Sequence, residues 1–435
     1  MTSNIYSKLN SRTTLYNFLC TVKAGIYATA TYPVKRALLV FALMTDLLLC
    51  IALFWPRHHI PTLYGITFCV AFLFFVLLGL LIFSTLGYIP GAMTMQQNFQ
   101  RIGFVNSAGE APFLIRKQKL PGGVVALTFR CVGFPLYLWK DKQVQLESAL
   151  NMRIASIHEE KDRRTITLYC VPSDRAFEVI PWNDAYARRN EDEYLILGRS
   201  LIGDVTLNLN KTPHILIGGN TGSGKTVLLQ CLLWQTILQA DVVYVADFKG
   251  GVDFSKSWPH FVHLVTDENQ LLDLLDRLSA ELDRRKALLV EAGAANITEY
   301  RKETGHYMQR VIFACDEIAE LLDKTGADKD RKDLLAKIEA RLSLIARQGR
   351  AFGIHLILCT QRPDANILPG QIKNNMSIRI CGRADATLST IILGDGSAAE
   401  QIPPDAQGRF LMDDGTLFQG FDFHDPSDDS QDPHK

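Results

Sequence analysis

The sequence predicts an α/β protein: a parallel sheet with crossover helices, preceded by a two-helix hairpin and a small α+β domain. Three observations carry that prediction. Two long apolar runs stand near the start, strand-like segments without that apolar length follow, and from Gly198 short apolar blocks alternate with longer amphipathic stretches.

The chain has 435 residues, enough for two or three domains. Its 46 basic and 46 acidic residues balance, so bulk charge gives no push toward nucleic acid or anionic lipid, and any such binding must come from a local patch. Nine cysteines are scattered singly, with no C-x-x-C pair, which reads as buried thiols in a reducing compartment rather than disulfides or a zinc site.

Residues 1–34 are polar and mixed, and are read as a cytoplasmic N-terminal segment, not a cleavable signal. Within 35–88, the runs Ala37 to Trp55 and Leu63 to Leu86 are each about long enough to cross a hydrocarbon core. Pro56 to Pro61 between them reads as a tight external turn. Lys35 and Arg36 precede the first run, and Arg101, Arg116, Lys117 and Lys119 follow the second. This places both ends in the cytoplasm, with Arg57 in the turn a minor conflict, and makes the protein a multi-pass protein of the cell membrane with its C-terminal domain inside. Asp46 is an acid inside the first span; it reads either as pairing across an oligomer interface or with a membrane partner, or as a tolerated polar residue in a shifted span.

Residues 89–197 are expected to form the small α+β domain, with strands over Val124 to Cys131, Thr165 to Val171 and Phe177 to Ile180, and a short helix over Val144 to Ile154. Residues 198–421 form the α/β domain. Its expected strands are Ile215–Gly218, Val242–Ala246, Val311–Cys315, Leu356–Thr360 and Ser377–Cys381, and Leu271 to Ala292 is a helix with one leucine stripe. Residues 422–435, rich in Asp, Ser and Pro, are expected to be a disordered tail.

Between the first of those strands and a helix over Val227 to Leu238 lie Gly219, Asn220, Thr221, Gly222, Ser223, Gly224, Lys225 and Thr226. This is the G-x-x-x-x-G-K-[ST] pattern of a phosphate-binding loop. Its glycines let the backbone curl around an anion, its N–H groups and the helix dipole face the charge, Lys225 would reach the β- and γ-phosphates, and Thr226 would ligate Mg²⁺. The ligand expected is ATP with Mg²⁺.

Hydrolysis also needs an acid that holds metal and a group that orients water. Val311 to Cys315 ends in Asp316 and Glu317, about 90 residues beyond the loop with a strand between. Asp316 would hold Mg²⁺ and Glu317 would polarise the attacking water. The strand after them ends at Gln361, which could bond γ-phosphate or water.

At this point residues 198–412 resemble the FtsK/SpoIIIE family of membrane-anchored motor ATPases. The resemblance rests on "PHILIGGNTGSGKT", "DFKGGVDF", "ELDRRKALLVEAGAANITEY" with Arg284 and Arg285, "CDEIAELL", and "RQGRAFGIHLILCTQRPDANILPGQIKNNMSIRI". It implies a RecA-like P-loop NTPase motor working as a homo-hexamer, with DNA as the usual substrate and proteins in some members. It also implies an arginine acting in trans on the neighbour's nucleotide; Arg350 is the first candidate, Arg379 and Arg383 the alternatives. Two spans, a short middle region and one motor are similar to the coupling proteins of Gram-positive conjugative elements, as is "GFPLYLWKDKQVQLESALNMRI" less specifically. That branch implies a relaxase and conjugation channel proteins as partners. The alternatives are a chromosome or plasmid segregation translocase, a type VII-like protein-export ATPase, and a receptor that binds ATP without hydrolysing it; the intact Lys225, Thr226, Asp316 and Glu317 set argues against the last.

Overall fold

The computed structural model describes residues 18–424, apart from 20, 27, 31, 55–60, 188–192, 250–252, 255–256 and 362–368. The expected turn from Pro56 to Pro61 falls almost wholly outside these, as does the tail from 425 onward. The chain divides into two compact units, with the break between Arg175 and Ala176.

The first unit holds the apolar helices Pro33–Phe54 and Pro61–Leu86. With mean hydropathies of 2.2 and 3.0 over their apolar windows, and nearly all of those windows exposed, both are long and apolar enough to cross a membrane. Asp46 is turned inward and only 2% exposed, with Cys50 Sγ 3.7 Å from its Oδ1.

The same unit contains a four-stranded antiparallel sheet in the order β1-β2-β4-β3: β1 (Phe113–Lys119), β2 (Val125–Arg130), β3 (Met152–Glu159) and β4 (Thr165–Pro172). Its helices Ala92–Arg101, Leu136–Asp141 and Gln143–Leu150 supply Phe99, Trp139 and Leu146 to a core shared with Phe129 and Leu168. Phe104 and Phe99 meet the fully buried Trp139 ring edge to face, at 4.9 and 6.2 Å between centroids, the arrangement aromatic quadrupoles favour. The helix expected over Val144 to Ile154 ends at Leu150, because Asn151 adopts φ 50° and turns the chain into β3.

The second unit is one ten-stranded sheet, in the order β6-β5-β14-β13-β12-β7-β11-β10-β8-β9. The strands are β5 (Tyr194–Ser200), β6 (Gly203–Asn208), β7 (His214–Gly218), β8 (Val242–Ala246), β9 (His263–Val265), β10 (Val311–Cys315), β11 (Ile354–Thr360), β12 (Ile378–Cys381), β13 (Arg409–Met412) and β14 (Leu417–Gly420). From β12 to β9 all pairings are parallel; β13, β14, β5 and β6 add an antiparallel flank. Alternation within the strands divides the core. Leu216 and Phe313 face the helices Glu268–Ala292 and Lys329–Gln348, while Ile215, Ile217 and Ile312 face the helix Lys225–Leu238.

Residues 176–187 and 193–197, grouped with the middle region on sequence, lie in this second unit. Ile180 and Trp182 bond the backbone of Asp422, and Trp182 and Tyr186 pack on Phe421. Phe177 to Ile180, expected as a strand, carries no strand assignment; beside it Pro181 makes an isolated bridge to Asp422.

Candidate nucleotide site

Register brings the relevant strand ends to one edge. Gly218 pairs with Thr360 and Cys381, and Cys315 with Leu358 and Ala246. The residues that follow these strands therefore gather at the carboxyl ends of β12, β7, β11, β10 and β8, where ligands of parallel α/β sheets bind.

The loop from Gly219 to Thr226 leaves β7 and enters the helix Lys225–Leu238. Gly222 and Gly224 hold φ of 75° and 95°, backbone that a side chain resists, and a Cβ on Gly224 would come within 3.1 Å of Gly408. The loop is anchored through Asn220 N to Arg383 O at 2.7 Å and Gly408 N to Ser223 O at 3.0 Å. Lys225 Nζ bends back onto the carbonyls of Gly219, at 2.6 Å, and Asn220, at 3.2 Å. Burial lowers its pKa, opposed by Cys359, Glu317 and Asp316.

Asp316 is engaged at both oxygens. Thr226 Oγ1 donates to its Oδ1 at 3.3 Å, and Lys249 Nζ to its Oδ2 at 2.8 Å. Glu317 is also gripped twice: Thr360 Oγ1 donates to Oε1 and Gln361 N to Oε2, each at 2.9 Å. Burial raises the Glu317 pKa, against these two donors and the positive charge of Lys225. The Gln361 side chain accepts from Thr221 Oγ1 at 2.7 Å, so β11 and the loop are joined directly.

The structure thus brings together Gly219 to Thr226, Asp316, Glu317 and Gln361. Arg350 is elsewhere: it lies in the turn before β11 and donates Nε to Asn210 O at 3.2 Å. The seven residues of β11 put it roughly 20 Å from Gln361 in its own protomer. Arg383 contacts its own loop, donating to Thr221 O at 3.0 Å, and Arg379 donates to Lys373 O at 3.4 Å. Of the paired arginines, Arg285 is buried and donates to the carbonyls of Phe352 and Gln309, while exposed Arg284 bonds Glu281.

Four neighbours went unassigned on sequence: Thr360, Lys249, Asp247 and Asp253. Asp247 carried the same signal as Asp316, a carboxylate ending an apolar strand. Lys249 lay in a quoted motif that named no role.

Helices on both faces of this mixed sheet, with a glycine-rich loop at its carboxyl edge, define the P-loop ATPase fold. The FtsK/SpoIIIE family model matches residues 185–365. A solved structure, the pCW3 conjugation coupling protein TcpA in monomer form with ATPγS, is 36% identical with a TM-score of 0.57, covering 77% of this chain and 96% of that one. The chain belongs to the FtsK/SpoIIIE family. It is also similar to the DNA translocase FtsK of Bacillus anthracis, at 28% identity over 265 residues, 53% of this chain and 32% of that protein. With the DNA translocase FtsK of Campylobacter jejuni the identity is 30% over 220 residues, 48% of this chain and 22% of that protein. The match spans about a third or less of these curated relatives.

Proposed function

We propose that the protein is a membrane-anchored, ATP-hydrolysing DNA translocase that serves as a coupling protein in conjugative DNA transfer. The reach of the likeness to TcpA supports the branch. Seventy-seven per cent of 435 residues is about 335, more than the 260 residues from Ala176 to Lys435, so the likeness runs past the motor into the first unit. The likeness to the two DNA translocases FtsK takes in only about half of this chain.

In this reading the loop's backbone holds the phosphates of ATP, and Lys225 turns from the Gly219 and Asn220 carbonyls to the γ-phosphate. Thr226 Oγ1 and Asp316, 3.3 Å apart, are hard oxygen donors that fit Mg²⁺ and would hold it there. Bound there, Mg²⁺ would neutralise charge on the phosphates. Glu317 takes a proton from the attacking water; burial tunes it toward that task by raising its pKa. Gln361 reads the γ-phosphate through its contact with Thr221.

Arg350, remote from its own loop, serves the neighbouring protomer's site, which makes hydrolysis a property of a homo-hexameric ring. The two apolar helices form a multi-pass anchor in the cell membrane with both chain ends in the cytoplasm. The ring hands element DNA, with its bound relaxase, to the conjugation channel.

The test is transfer itself. An element deleted for this gene should regain transfer with the wild-type copy and not with Lys225→Ala or Glu317→Gln, and the purified wild type should displace a roadblock from DNA only with ATP. Full transfer with both variants refutes the proposal.

A further inference from the structure

Lys249, in the segment "DFKGGVDF", closes the metal side of the site. Its Nζ lies 2.8 Å from Asp316 Oδ2 and 3.6 Å from Asp253 Oδ2. Asp316 is buried, and with Thr226 on Oδ1 and Lys249 on Oδ2 neither carboxylate oxygen is left open. A buried carboxylate without a counter-charge is costly, so the Lys249 ammonium stabilises Asp316 where it lies. A divalent ion seeking Asp316 meets a lysine already there.

Lys249 also has somewhere to go. Asp253 is within reach, and Asp247, whose N-terminal neighbour Ala246 ends β8, accepts the Lys249 backbone N–H on Oδ1 at 2.9 Å. Its Oδ2 is buried with no hydrogen-bond partner. The ammonium can therefore leave Asp316 and keep a carboxylate.

We propose that Lys249 is a positioning residue, a tethered cation that holds Asp316 in the nucleotide-free protein and is displaced onto Asp253 or Asp247 when metal and nucleotide load. It rests on the reading of Thr226 and Asp316 as the metal side of an ATP site. Its consequence is that Lys249 sets the Mg²⁺ concentration at which the site fills, and leaves metal-free nucleotide binding alone.

The experiment is binding, not turnover. Full-length protein in detergent or nanodiscs is titrated with a fluorescent, non-hydrolysable ATP analogue, first in EDTA and then at rising Mg²⁺. Lys249→Met keeps the stem and drops the charge. It should lower the half-saturating Mg²⁺ about tenfold, the size of one charge-assisted hydrogen bond, with affinity in EDTA unchanged. Asp253→Asn removes a seat for the displaced ammonium and should raise that midpoint. If Lys249→Met does not fold, Lys249→Arg decides: a guanidinium grips the carboxylate with two bonds and should raise the midpoint. An unchanged midpoint in the folded Met variant, or in Arg where Met fails, overturns the proposal. So does a Met variant that binds nucleotide more weakly in EDTA, since Lys249 would then be a phosphate ligand. A wild type that binds no nucleotide at any Mg²⁺ overturns the underlying site as well.

Discussion

The Thr360 hydroxyl donates a 2.9 Å hydrogen bond to Oε1 of Glu317, tying the end of β11 to the end of β10. Gln361 N holds the other oxygen, and the Gln361 side chain reaches Thr221 in the loop. A carboxylate held this way is oriented by its neighbour strand, and anything that moves the Gln361 side chain tugs on the backbone that holds it.

The first prediction follows from that contact. Glu317→Gln should bind ATP and lose about a hundredfold or more in turnover, the range of a general base. Thr360→Val keeps the shape and removes a donor that lowers the Glu317 pKa, so that pKa rises further. The acid limb of the pH–turnover profile should move to higher pH in Thr360→Val. An unmoved limb means that Thr360 does not tune Glu317.

Arg350 carries the second. It is roughly 20 Å along β11 from its own Gln361, so it can assist hydrolysis only across an interface. Arg350→Ala should leave ATP affinity nearly intact and cut turnover, and mixing it with Lys225→Ala should restore part of the activity that neither has alone. Wild-type turnover by Arg350→Ala in assembled rings would remove it from the mechanism.

How much of this was legible in sequence depends on how far apart the partners lie. The loop from Gly219 to Thr226 is contiguous, and its residue types are dictated by local backbone and phosphate chemistry, so the pattern alone located it. Asp316 and Glu317 were legible because an apolar strand ends on them. Thr360 with Glu317 and Lys249 with Asp316 are 43 and 67 residues apart. Their meeting depends on the order β7-β11-β10-β8, which alternation of apolar segments does not specify. Within the antiparallel flank, β13 and β14 are four residues each, too short for a period to register. Asn151 shows the limit for boundaries, since one left-handed residue separates helix from strand inside an unbroken mixed pattern.

The third prediction concerns acid. His214 and His355 are buried at the amino ends of β7 and β11, and burial pulls their pKa values down to about 4 and about 3. His355 Nδ1 pairs with Pro213 O, and His214 Nδ1 accepts from Leu356 N, so both rings are neutral when folded. The unfolded chain takes up protons first, near pH 6.5, so this stability is complete above pH 6.5 and is lost as pH falls toward 4. The loss should reach about 3 kcal/mol or more. In calorimetry, the melting temperature should begin to fall near pH 6.5, above the carboxylate range. A temperature constant from pH 7 to pH 5 contradicts it.

The fourth concerns the anchor. Helices Pro33–Phe54 and Pro61–Leu86 form a hairpin only if the ends share a compartment. Reporter fusions at Ser3 and at Gln431 should both read cytoplasm; one external signal breaks the two-span arrangement.

The central claim is that ATP hydrolysis at this site is coupled to DNA, and ATP turnover by full-length protein in nanodiscs tests it most directly. Rates are measured with no polymer, single-stranded DNA, double-stranded DNA and unfolded polypeptide, beside Glu317→Gln as the blank. We predict low turnover alone, stimulation by at least one form of DNA and none by polypeptide, all abolished in Glu317→Gln. Stimulation by polypeptide and not by DNA, or turnover that survives Glu317→Gln, would contradict it.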